Sequence, residues 1–141
     1  MRRVFANEHW ILDRHPDLPL LIVRRTSVGY SSYSEIPKAF DALDAAMDAC
    51  VRSRFALLID FRESVGRNDP DFERATKGHP RRLVHGFTRA AVLVRTANGL
   101  LQVRRAAGAM SAERARAFNS EAEAMAYLFP PKDQAKRPRA S

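Results

Sequence analysis

An α/β domain with one mixed sheet of about five strands is what the order of apolar runs predicts. Phe55-Ala56-Leu57-Leu58-Ile59 and Ala90-Ala91-Val92-Leu93-Val94 are short apolar runs without polar alternation, the pattern of strands covered by helices on both faces. Ahead of the first, Ile36, Phe40, Leu43, Met47, Cys50 and Val51 recur at spacings of three and four, the stripe of an amphipathic helix. Two more runs precede that helix, and from there helices and strands alternate.

The segment Val4 to Asp13 and the run Leu20–Val23 flank the turn His15-Pro16-Asp17-Leu18-Pro19, so they read as an antiparallel pair. Ser34 stands at a helix N-cap, with Glu35 and Pro37 in the first turn, where a missing amide hydrogen costs nothing. Lys38, Asp41, Asp44 and Asp48 lie off the apolar stripe. Cys50 lies on it, as a core thiol would. Phe55 to Ile59 is the central strand, ending in Asp60. Asn68-Asp69-Pro70 signals the start of a second helix, and Gly78-His79-Pro80 predicts a bend in it between Lys77 and Arg81. Ala90 to Val94 is the next inner strand, and Thr96 or Asn98 caps a helix with Leu100, Val103, Ala107 and Met110 on one face. Ala115 to Phe118 reads as a last short strand. Ser120-Glu121-Ala122-Glu123 is a capping-box sequence; Met125, Leu128 and Phe129 anchor the helix it opens, and Pro130-Pro131 stops it.

The 141 residues suit one domain over residues 1–129. Residues 130–141 form a basic tail without an apolar anchor, for which disorder is expected. No apolar run reaches the ~20 residues of a membrane span, and Met1-Arg2-Arg3 is not followed by a signal-peptide core, so a cytoplasmic protein is expected. The single cysteine excludes an intramolecular disulfide framework. No His pair has helical metal-ligand spacing, and neither a metal nor a cofactor is expected. The net charge of +8 raises nucleic-acid binding, which would need Arg74, Lys77, Arg81, Arg82, Arg104 and Arg105 on one surface with stackable aromatics.

The carboxyl end of a central strand is where open α/β sheets place ligand and partner contacts. Asp60, Arg62, Glu63, Arg67, Asp69 and Asp71 cluster in sequence there and are the candidate partner-binding residues. Asp60, Ser64 and His85 match no nucleophile elbow, so catalysis is not expected.

The paired N-terminal strands, the Leu57-Leu58-Ile59-Asp60-Phe61-Arg62 strand end, the Asn68 to Glu73 helix start, the Gly86 to Thr96 strand and the closing Ala117 to Leu128 motif resemble the STAS/CRAL-TRIO-like group. These are small bacterial proteins similar to the sporulation anti-sigma-factor antagonist AA, and the resemblance runs from Val4 to Phe129. It implies a non-catalytic regulatory module with a protein partner such as an anti-sigma factor, a kinase or a sensor. A small-molecule or lipid-binding domain of CRAL-TRIO type is the alternative, and nucleic-acid binding the third. In antagonists of this group a phosphorylatable serine stands at the helix start after the central strand. Here Asn68-Asp69-Pro70 occupies that place, and Ser64 is the nearest hydroxyl and the candidate phosphoacceptor.

Overall fold

A computed structural model describes residues 1–63, 79–106 and 115–131, with only the backbone of residues 79, 80, 102, 105 and 106. One six-stranded sheet runs in chain order: β1 (Arg2–Ala6), β2 (Trp10–Arg14), β3 (Leu20–Arg25), β4 (Ala56–Asp60), β5 (Ala90–Leu93) and β6 (Ala115–Phe118). The pairs β1/β2 and β2/β3 are antiparallel, and β3 to β6 are parallel neighbours. The predicted mixed α/β sheet is therefore present, with one strand more than expected. Val4 to Asp13 is two strands because the Asn7 side chain accepts hydrogen bonds from the backbone N–H groups of His9 (2.9 Å) and Trp10 (2.8 Å). This Asx turn reverses the chain. The new edge strand β1 is exposed along most of its length and tied down by Arg3 Nε to Asp13 Oδ1 at 2.7 Å.

Helix α1 (Glu35–Asp48) buries Ile36, Ala39, Phe40, Leu43 and Met47 against one face of the sheet. On the same face lie Leu83 and Val84 of α2 (His79–Val84) and, partly buried, Leu100 and Val103 of α3 (Ala97–Ala106). Alternate residues of the inner strands point the other way. There Leu20, Ile22, Leu58 and Leu93 meet Ala124 and Leu128 of α4 (Glu121–Leu128). Ala56 and Ala91 of the strands and Ala124 of α4 are small and buried, which lets this short helix approach the sheet closely. Among the described residues, no helix is long and apolar enough to cross a membrane.

The capping expectations divide. Ser120 accepts from Glu123 N at 3.3 Å, as its sequence predicts. Thr96 rather than Asn98 caps α3, accepting from Gly99 N at 3.0 Å. A Cβ on Gly99 would stand 3.1 Å from that hydroxyl, so the glycine permits the cap. Ser34 occupies the N-cap position of α1 but makes no side-chain cap bond. Instead Glu35 reaches back, accepting from Ser31 N (2.8 Å) and Ser31 Oγ (2.7 Å). The α1 stripe ends earlier than its periodicity predicts. Cys50 packs partly buried against the core, whereas Val51 turns into the left-handed region (φ 62°) and is 48% exposed. That conformation crowds a β-branched side chain. The second helix start at Asn68-Asp69-Pro70, the bend near Lys77, Ala107 and Met110 of the third apolar face, and the basic tail from Lys132 to Ser141 lie outside the described residues. Of that segment the helix His79–Val84 is described, with side chains from Arg81 onward.

Candidate functional site at the carboxyl edge of the sheet

Parallel strands β3, β4 and β5 end at one edge, where Asp60 stands in register between Arg24 and Leu93. All five residues of β4 are buried, Asp60 included at 5% exposure. A carboxylate there needs partners, and the next two residues supply them. Arg62 donates its backbone N–H (2.9 Å) and Nε (3.0 Å) to Asp60 Oδ1, and Nη2 (2.9 Å) to Oδ2. Arg24 Nε stands 3.9 Å from Oδ2. The intervening residue anchors the opposite face: Phe61 N donates to Leu93 O at 2.8 Å, and the Phe61 ring meets Trp10 edge-on at 6.0 Å.

Arg62 also donates from Nη2 to Glu121 Oε1 at 3.1 Å. The guanidinium thus bridges the end of β4 and the first turn of α4 while its side chain stays 44% exposed. Glu63 beside it is exposed. Burial pushes the Asp60 pKa up, but the hydrogen bonds from the Arg62 side chain and backbone, with the attraction of Arg62 and Arg24, outweigh it and hold the carboxyl below its ordinary range. The Arg62 pKa is raised, chiefly by its bond to Asp60. Asp60 therefore stays ionised with both oxygens engaged. It positions the loop and is not available as a proton-transfer group.

A pH dependence follows. A carboxyl whose pKa is lower folded than unfolded contributes stability above its unfolded value, near 4, and loses it as pH falls through the depressed folded value. Asp60→Asn should cost about 1–2 kcal/mol at neutral pH, the scale of charge-assisted hydrogen bonds to a half-exposed arginine. Denaturant melts of wild type and variant should converge as pH drops below about 4. A deficit that stays constant down to pH 2 would contradict this reading.

The other face of the same edge holds a polar cluster around the buried Arg25. Its Nη1 donates to the carbonyls of Val28 (2.8 Å), Thr26 (2.9 Å) and His9 (3.3 Å), and its guanidinium lies 4.6 Å from the Tyr30 ring centre and 5.6 Å from that of Trp10. Desolvation lowers the Arg25 pKa against the opposing pull of Tyr30. Burial likewise raises that of Tyr30. The His9 ring lies tilted against that of Tyr30, centroids 4.3 Å apart, and approaches Glu35 at 4.0 Å. These contacts fasten the β3–α1 loop to the sheet edge.

Of the residues predicted for the partner site, Asp60, Arg62 and Glu63 are brought together at this edge. Ser64, Arg67, Asp69 and Asp71 lie outside the described residues. Sequence reasoning missed Arg24 and Glu121. Arg24 carried a signal in its place at the end of β3, in step with Asp60, whereas Glu121 was legible only as a helix-start residue. Asp60 closes β4, whereas His85 precedes β5 at the opposite edge of the sheet. The acidic residues of α1 are engaged within the molecule. Arg82 Nη2 binds Asp41 Oδ1 (2.6 Å) and Asp44 Oδ2 (2.9 Å), so Arg82 is not an unencumbered phosphate contact for nucleic acid. Arg74 and Lys77 and the side chain of Arg105 fall outside the described residues.

Sheet order, helix placement and this edge define a SpoIIAA-like, STAS-like α/β fold. A solved structure bears this out: an uncharacterised protein of the DUF3478 family with a SpoIIAA-like fold, from Shewanella loihica PV-4, superposes with a TM-score of 0.57 at 16% identity, over 88% of this chain and 98% of that one. No protein-family model matches the sequence, and no curated protein matches it.

Proposed function

We propose that the chain is a non-catalytic regulatory module whose protein partner docks on the carboxyl edge, at Arg62 and Glu63 and along the following stretch that contains Ser64, Arg67, Asp69 and Asp71. The observation that carries this reading is the double tether of Arg62. Its guanidinium is fixed by Asp60 and Glu121, yet nearly half of the side chain faces solvent. A charge held in place beforehand loses little ordering entropy on binding, and it selects a partner through complementarity more than through raw affinity. The SpoIIAA-like fold supports a regulatory role, since the antagonists that the sequence resembles act by docking other proteins. Asp60 serves here as a positioning residue, and Ser64, two residues along the chain from Arg62, is the hydroxyl through which phosphorylation would add a dianion to this stretch.

The test is site-specific photo-crosslinking in the cells from which the chain comes, with a photoreactive amino acid in place of Glu63. One defined protein should be captured, and Arg62→Ala should reduce the yield. Capture from position 38 on α1 with none from position 63 would move the site elsewhere.

A further inference from the structure

At the amino edge of the parallel strands, opposite the proposed docking edge, an open cavity of about 400 Å³ lies between the β2–β3 loop and the end of α1. That volume falls in the range of small-ligand sites, ~300–1,000 Å³. Its lining includes two arginines, Arg14 and Arg54. Arg52, Arg62 and Arg82 are all engaged with carboxylates. Arg14 and Arg54, which both line this cavity, form no ion pair among the described residues. Asp17, the carboxylate of the lining, pairs with neither. The Arg14 guanidinium carbon lies over the Phe55 ring, 5.0 Å from its centre. A cation–π contact uses none of the guanidinium N–H donors, which stay available to an oxyanion.

Two further features favour a negative guest. His15 Nδ1 accepts from the backbone N–H groups of Asp17 (3.1 Å) and Leu18 (3.0 Å), so in the neutral ring the proton sits on Nε2, a donor. The α1 C-terminus, whose free carbonyls would repel an anion, has them occupied. Ala45 O accepts from Ala49 N, Ala46 O from Cys50 Sγ, Met47 O from Cys50 N, and Asp48 O from Val51 N.

We propose that this cavity binds a small phosphate ester, its dianionic group held by Arg14 and Arg54 with His15 Nε2–H as a further donor. Two full positive charges and an N–H match a dianion better than a single carboxylate. The ester could be soluble or a lipid headgroup, and the test separates the two. Cys50 lines the cavity and is the chain's one cysteine, so its alkylation reports occupancy uniquely.

The full chain is titrated with AMP, and separately with phosphatidylcholine vesicles carrying phosphatidic acid. Amide shifts of Asp17, Leu18, Cys50 and Phe55 are followed by NMR alongside the rate of Cys50 alkylation. Saturable AMP shifts at these amides with slowed alkylation mark a soluble ester, whereas protection by the vesicles alone marks a headgroup. In either case Arg14→Ala and Arg54→Ala should each weaken binding roughly tenfold, the loss of one charge-assisted contact. Arg14→Lys should recover part of it, and Arg116→Ala, remote from the cavity, should change nothing. No shift with either probe, or protection that survives the Arg14→Ala/Arg54→Ala double substitution in a protein with native amide dispersion, would overturn the proposal.

Discussion

Leu58→Asp is expected to leave no folded protein. Leu58 lies in the middle of the central strand, on the face where Leu20, Ile22 and Leu93 close against Ala124 and Leu128. Among the described residues of that cluster there is no cation to pair with a carboxylate. Ionised, the group would sit unpaired in an apolar layer; protonated, it would still forfeit the packing of a buried leucine. Either penalty approaches the whole stability of a domain this size, ~5–15 kcal/mol. Circular dichroism and gel filtration of the variant should show loss of cooperative melting. Leu93→Asp, on β5 in the same buried cluster, should behave alike. A soluble variant with a wild-type melt would mean that this face is not closed as described.

Arg52→Ala ranks second. Arg52 precedes β4 in a short 3₁₀ turn (Arg52–Arg54), and its side chain is 13% exposed. Nη1 donates to three carbonyls at the end of α2: Arg82 (2.8 Å), Leu83 (3.0 Å) and His85 (3.0 Å). Nε binds Asp48 at 2.6 Å, Nη2 binds Asp44 at 3.1 Å, and the guanidinium lies 5.2 Å from the Phe87 ring centre. One cation thus fills acceptors that a helix C-terminus leaves open and holds α1 against α2. Its truncation orphans those carbonyls and leaves Asp44, itself little exposed, with Arg82 alone. A loss of about 2–4 kcal/mol is expected, at the scale of breaking a nearly buried, multiply bonded charge. In denaturant the midpoint should fall with little change of slope. Arg52→Lys should restore less than half, because a single ammonium cannot reproduce the planar fork. A shift below about 0.5 kcal/mol, the range of ordinary surface substitutions, would reduce the clamp to a surface ornament.

These two residues also mark what the sequence made legible and what it concealed. Leu58 and Leu93 announce themselves because burial on both faces removes every polar residue from a strand, a local pattern. The capping serine of α4 is equally local. Arg52 carries no such mark: in an arginine-rich chain it resembles its neighbours, and its partners at Arg82, Leu83 and His85 are brought near only by folding. Arg25 is hidden for the same reason, since its compensation comes from carbonyls of a loop and from aromatic faces. The sixth strand is hidden by a short polar insert, Asn7 to His9, within one otherwise extended segment; the Asx-turn propensity of Asn7 is the local signal for it. Val51 shows the reverse error. Helical periodicity continues through it, and without a glycine nothing local warns that the backbone turns left-handed there. At the site, the position of Asp60 followed from strand logic, but its occupation by Arg62 depends on side-chain direction, and the bond to Glu121 on a helix that begins 59 residues later.

The central claim, that the carboxyl edge is the docking surface, is tested most directly by titrating the partner captured at position 63 against two charge reversals. Glu63→Lys alters the edge at an exposed residue, so stability should move by less than about 0.5 kcal/mol; Lys38→Glu alters an exposed position on α1. The account predicts that Glu63→Lys weakens affinity about tenfold or more while Lys38→Glu leaves it within about twofold. Unchanged affinity for Glu63→Lys, with the loss falling on Lys38→Glu, would contradict it.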